Sequence, residues 1–297
     1  MDISVFEITA KAYSEAALNV ASSLVALVAF VPYFKQRKTS SFIGTLLIYL
    51  TSCALYSILH AFDSIVKIIG ENNPKFRYTF VDVSRFGQWY YTVVQLSTNF
   101  IYITGLTLAL DRFFVMACPV SYSHMRLSKK ICFLAGFLCT INALVMLISF
   151  LVLPYGPKTI ASTDMIRNYI ILIFDIGLLV ECALHVVFCF QYQRFAKRQR
   201  GKSVKQHVIR ANHITLFLIF SQTLFCMFPK ISYRGNQILS DRPVPWILRM
   251  AMYYTFLLSL HVFLTCCFTV FALRRKQKLQ RTAVSVVSLS GKGQTTR

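Results

Sequence analysis

Ile131-Cys-Phe-Leu-Ala-Gly-Phe-Leu-Cys-Thr-Ile-Asn-Ala-Leu-Val-Met-Leu-Ile-Ser-Phe-Leu-Val-Leu153 is an apolar run without a single charged residue. A bilayer core is about 30 Å thick, so a helix needs about 20 apolar residues to cross it. In lipid a backbone must satisfy its own hydrogen bonds, so such a run is a helix. It is too long and too unbroken for a barrel strand, which alternates over about ten residues. Six more runs of this kind flank it: Ser14–Phe34, Ser41–Phe62, Gln88–Cys118, Asn168–Gln191, Ala211–Tyr233 and Trp246–Leu273. The expected fold class is therefore an all-α membrane protein, a bundle of seven transmembrane helices. Residues 1–273 form the transmembrane domain. Residues 274–297 form a basic tail with Ser and Thr, either a phosphorylation target or a plain polar tail.

Composition agrees. The chain is 56% hydrophobic and 14% charged, against roughly 25% charged in soluble domains. The first run is too long for a cleavable signal, and Tyr33–Phe34 lacks the small residues of a cleavage site, so an uncleaved anchor is expected. No internal repeat is evident.

The net charge is +21, and its distribution sets an orientation. Lys35, Arg37 and Lys38 follow the first run, and Arg126, Lys129 and Lys130 follow the third. Arg194, Lys197, Arg198, Arg200, Lys202, Lys205 and Arg210 follow the fifth. Arg274, Arg275, Lys276, Lys278, Arg281, Lys292 and Arg297 follow the seventh. No acid lies in these four segments. The opposite side mixes basic residues with Asp2, Glu7, Glu15, Asp63, Glu71, Asp82, Asp164 and Asp241. An excess of Lys and Arg marks the cytoplasmic side, so the N-terminus is expected outside and the C-terminus in the cytoplasm. The same loops suit anionic lipid, and nucleic acid is not an expected partner. All nine cysteines fall in the runs or at their basic ends, so no structural disulfide is expected. Cys118 is either a palmitoylation site or an apolar filler. No Cys/His spacing matches a metal site, and neither metal nor cofactor is expected.

At the basic end of the third run stands Leu108-Ala-Leu-Asp111-Arg112-Phe113-Phe-Val-Met-Ala-Cys-Pro119-Val-Ser-Tyr122. An ion pair at a membrane boundary is costly and commonly marks function. The sixth run contains Cys226-Met227-Phe228-Pro229, where proline removes a backbone hydrogen bond and kinks a helix. These two motifs resemble the rhodopsin-like G-protein-coupled receptors. Their third helix ends in Asp/Glu-Arg-Tyr before a loop proline, and their sixth carries Cys-Trp-x-Pro. The resemblance implies that the carboxylate of Asp111 holds Arg112 until activation releases it toward a heterotrimeric G protein, with Phe113 and Pro119 completing the motif. It also implies an activation hinge at Cys226–Pro229.

Several family marks are missing. Gly87 stands where a cysteine is usual, the second run has no Asp, and the fourth has no Trp. His261-Val-Phe-Leu-Thr-Cys-Cys-Phe268 replaces Asn-Pro-x-x-Tyr. In these losses the chain resembles the divergent nematode serpentine chemosensory receptors. That resemblance implies a plasma-membrane, multi-pass chemoreceptor, of a kind found in sensory cilia, with a role such as olfaction.

Such receptors bind small molecules in the outer half of the bundle. Tyr91, Gln95, Thr98 and Asn99 recur at three- and four-residue spacing, which sets most of them on one helix face. Asp175 in the fifth run, Lys230 after Pro229, and Arg249 near the seventh complete the expected ligand set. Asp175 could face a cation, and Lys230 or Arg249 an anion; equally, the two clusters could hold each other. Glu181 and His185, four residues apart, could pair. The alternative function is a seven-helix transporter or ligand-gated channel, although transporters usually show repeats or broken helices. No nucleophile–base pair or phosphate loop suggests an enzyme.

Overall fold

A computed structural model describes residues 5–36, 44–73, 85–152, 157–198, 206–239, 244, 246–247, 250 and 253–291. Among these, all regular structure is helical. The helices are α1 (Val5–Gln36), α2 (Gly44–Asn72), α3 (Arg85–Ala117), α4 (Pro119–His124), α5 (Leu127–Val152), α6 (Pro157–Arg198), α7 (Gln206–Gln222), α8 (Phe228–Leu239) and α9 (Tyr254–Gly291). A π-helical turn, Thr223–Met227, joins α7 to α8.

Among the described residues, seven helical stretches are long and apolar enough to cross a membrane. They are Ala10–Phe30, Gly44–Gly70, Thr92–Ala117, Leu127–Ile148, Leu172–Phe195, Ile214–Asn236 and Tyr254–Ala272. Each matches one expected run, and the sixth combines α7, the π turn and α8. α3 is central, packing on α2, α5 and α6, while α1 packs on α2 and α9.

The burial pattern is inverted relative to a soluble protein. Phe133, Phe137, Ile141, Leu144 and Ile148 of α5 are exposed, as are Leu172, Ile173, Ile176 and Leu179 of α6. Ser22, Ser57, Asp111, Glu181, His261 and Thr265 are buried. Water would favour neither arrangement, whereas hydrocarbon around the bundle favours both. Several buried hydroxyls return their proton to the preceding turn, such as Ser22 to the Leu18 carbonyl at 2.7 Å and Ser57 to that of Cys53 at 2.9 Å.

Several boundaries differ from the sequence reading: α1 begins at Val5 rather than Ser14, and α6 spans Pro157–Arg198 rather than Asn168–Gln191. α2 runs ten residues past Phe62 to Asn72. Asp63, Lys67 and Glu71 end the apolar run, but at four-residue spacing they favour a helix, and Lys67 bonds Asp63 at 2.6 Å. The second helix therefore does carry an Asp, contrary to expectation, and this buried Asp63 faces a lysine of its own helix. The seventh helix begins at Tyr254 rather than Trp246, and continues through residues 274–291 of the expected tail.

Candidate functional site

Pro119 opens α4 at the first helical position, where a proline's missing N–H costs nothing. The short α4 brings Tyr122 back against the end of α3. There Asp111 is fully buried and Arg112 is 2% exposed. Nη2 of Arg112 lies 2.9 Å from Oδ2 of Asp111. Thr45, in the first turn of α2, donates to the same oxygen at 2.9 Å. Tyr122 donates to Oδ1 at 2.7 Å. Two hydroxyls and one guanidinium thus share this carboxylate. Gly44 lets the start of α2 lie close to α5, since a Cβ there would stand 2.8 Å from the Cys132 Sγ. Burial, and then the adjacent Asp111 carboxylate, raise the Tyr122 phenol above its ordinary pKa, so it remains a donor at neutral pH. Phe113 is half-buried and meets Phe114 edge-on at 5.4 Å.

A second polar group lies in the middle of the bundle. Gln222, the last residue of α7, donates to Glu181 Oε1 at 2.7 Å. Gly105 of α3 sits against this pair, and a Cβ there would lie 2.7 Å from Glu181 Oε1. Beside it, His261 of α9 bridges the Tyr49 hydroxyl of α2 and the Ser221 hydroxyl of α7, each at 2.8 Å. A neutral imidazole donates at one nitrogen and accepts at the other, so one of these hydroxyls donates and the other accepts. Ser221 and His261 have the distance of a nucleophile–base pair. Both are buried, however, and a phenol occupies the place of the carboxylate that orients such a histidine. The expected Glu181–His185 pair does not form: Glu181 takes the Gln222 amide instead, and His185 Nδ1 has no hydrogen-bond partner among the described residues.

These contacts converge on the π turn. Cys226 and Met227 are its buried residues. The Phe228 N–H reaches back to the Thr223 carbonyl, a bond one residue longer than an α-helical one. Pro229 follows directly, so the helix is distorted where proline cannot donate. Phe228 is exposed and Pro229 buried.

Beyond the π turn, away from Asp111, Lys230 Nζ lies 3.0 Å from Asp175 Oδ1 and Arg234 donates to Oδ2 at 3.0 Å. Asp175 is therefore held by two cations of α8. Lys230 also sits over the Tyr102 ring, 4.8 Å from its centroid. Tyr102, Leu178 and Met227 form a small apolar cluster with Phe174, Cys182 and Tyr254 packed against it.

The third-helix residues expected to line a ligand site are not gathered there. Gln95 is exposed and donates to Asn99 at 3.1 Å, while Asn99 donates to Asn142 of α5 at 3.3 Å. Thr98 meets His60 of α2 at 3.2 Å. The four-residue spacing is real, but the shared face points toward α5 and α2 rather than toward α6 and α8. Tyr91 lies in α3, with its side chain outside the described residues, as is the whole of Arg249. The residues sequence reasoning missed are Thr45, Gly105, Tyr49, Ser221, Gln222 and His261, together with Arg234 and Tyr102. Gln222 and Ser221 are adjacent polar residues inside an apolar run, seven and eight residues before Pro229, which was the available signal. Among the described residues, no group of His, Cys, Asp and Glu could hold a metal.

No known family profile matches the chain, and no curated protein matches it.

Proposed function

We propose that this chain is a chemosensory G-protein-coupled receptor of the plasma membrane, with its N-terminus outside and its C-terminus in the cytoplasm. The observation that carries the reading is the buried Asp111–Arg112 pair at the basic end of the third span. A buried pair that loses one partner leaves an uncompensated charge, at a cost of about 3–5 kcal/mol. Here Thr45 and Tyr122 also satisfy Asp111, so Arg112 can leave without stranding an unsolvated carboxylate. In the proposed mechanism Arg112 then meets a heterotrimeric G protein. A small molecule bound beyond the π turn shifts the balance between held and released states. The π turn and Pro229 supply the hinge, and the Gln222–Glu181 and Ser221–His261 bonds lie between it and the Arg112 end. The basic loops face anionic lipid, and neither a cofactor nor a catalytic step is part of the mechanism.

The test is G-protein recruitment in cells exposed to pooled volatile and water-soluble small molecules. Wild type is compared with Arg112→Ala at matched surface levels. A response in wild type that the variant lacks is expected. An ion current under the same pools, without recruitment, would replace this reading with a ligand-gated channel.

A further inference from the structure

We infer that the molecule this chain binds is a small carboxylate with an apolar body, and that Lys230, Tyr102 and Tyr254 receive it. This deepens the receptor reading and rests on it.

Two buried phenol hydroxyls of one cluster have no protein acceptor among the described residues, and the Lys230 ammonium lies over the ring of one of them. Tyr102 is 8% exposed and its hydroxyl has no hydrogen-bond partner among the described residues. The buried hydroxyl of Tyr254 is in the same position. Both tyrosines belong to one cluster, on α3 and α9 respectively. Lys230, on α8, lies over the Tyr102 ring. Its ion pair with Asp175 is close at 3.0 Å, yet Oδ1 of Asp175 makes no hydrogen bond. The ammonium thus pairs with one carboxylate oxygen while Arg234 bonds the other.

Leaving a buried hydroxyl unsatisfied costs about 1–3 kcal/mol, so two in one cluster mark a place where an acceptor is missing. Asp175 does not serve as that acceptor: neither tyrosine hydroxyl bonds it, and its oxygens face Arg234 and Lys230. A carboxylate ligand brings two acceptor oxygens and a negative charge, which matches two phenols and one ammonium. Arg234 keeps Asp175 neutralised while Lys230 turns to the ligand. Phe174, Leu178 and Met227 are the neighbouring surfaces; they offer no polar partner, so the body of the ligand is apolar. A cationic ligand would instead meet an ammonium and two hydroxyls with no carboxylate to spare.

The position also couples binding to the hinge. Lys230 directly follows Pro229, and Met227 closes the π turn. A ligand that draws Lys230 toward Tyr102 and Tyr254 therefore pulls the sixth span at its distorted turn.

The experiment uses the full chain in lipid nanodiscs. Phenylacetate and hexanoate are compared with phenethylamine, hexylamine and hexanol by their effect on the unfolding temperature. The carboxylates should stabilise the wild type and the amines and alcohol should not. Lys230→Gln should weaken the apparent affinity at least tenfold, and Lys230→Arg should restore most of it. Tyr102→Phe and Tyr254→Phe, which keep the packing, should each weaken it several-fold. Stabilisation by the amines, no stabilisation by either carboxylate, or an undiminished effect in Lys230→Gln would overturn the inference. Recruitment of G protein is measured in parallel. Carboxylate binding without recruitment sinks the receptor reading and leaves this site standing. Recruitment by a neutral or cationic molecule, with no carboxylate binding, does the reverse.

Discussion

Gly105→Ala separates the packing of this bundle from simple helix propensity. Inside a helix, alanine is favoured over glycine by about 1 kcal/mol, so the naive expectation is stabilisation. At position 105 the added Cβ would stand 2.7 Å from Glu181 Oε1 and 3.1 Å from Gln222 Nε2. The Glu181 carboxyl can swing away, but only by giving up the 2.7 Å bond from Gln222. Both groups are buried, and leaving a buried donor or acceptor unsatisfied costs about 1–3 kcal/mol. The balance is a net destabilisation of up to about 2 kcal/mol. At about 2–4 °C per kcal/mol for a chain of this order of size, the unfolding temperature should fall by a few degrees. Gly136 is the control, because a Cβ there meets nothing within 4 Å, and Gly136→Ala should be neutral or stabilising. On a Gln222→Ala background the cost of Gly105→Ala should largely vanish, since the bond it breaks is already gone. The assay is thermal unfolding of the purified protein in one detergent. If Gly105→Ala is as stable as Gly136→Ala, the Gly105–Glu181–Gln222 contact does not exist and this reasoning fails.

Two further outcomes are expected. His261→Phe removes the bridge between Tyr49 and Ser221 and should destabilise the protein by about 1–3 kcal/mol per stranded hydroxyl; adding Tyr49→Phe and Ser221→Ala should recover part of the loss in the same melt. The Tyr122 phenol has a raised pKa in the folded state, from burial first and Asp111 second, so its contribution is complete below the unfolded tyrosine value of about 10 and fades as pH rises through the folded one. The stability difference between wild type and Tyr122→Phe should therefore be constant near neutrality and shrink in strong alkali, and a difference that grows with pH would contradict the donor role of Tyr122.

The sequence made the seven spans legible because hydrocarbon demands long apolar helices and tolerates few charges. The second span was read short for the same reason. Asp63, Lys67 and Glu71 break the apolar run, although their spacing continues the helix. Asp111, Arg112 and Pro229 were visible as polar or helix-breaking residues in an apolar setting. Tyr122 was visible as the aromatic residue after Pro119; Thr45 and Gln222 were less so, because they are common residue types whose importance lies in a neighbour on another helix. The third-helix ligand face shows the limit most clearly. Spacing placed Gln95 and Asn99 on one side of α3 but could not say which helix that side would meet, and it meets α5. The pairing of Asp175 with Lys230 was among the open alternatives, whereas Arg234 as the second cation was not foreseen.

The proposed restraint of Arg112 by Asp111 is tested most directly by ligand-independent G-protein recruitment by Asp111→Asn. Recruitment above wild type at equal surface display, abolished when Arg112→Ala is added, is the expected result. Equal basal recruitment in all three proteins would contradict it.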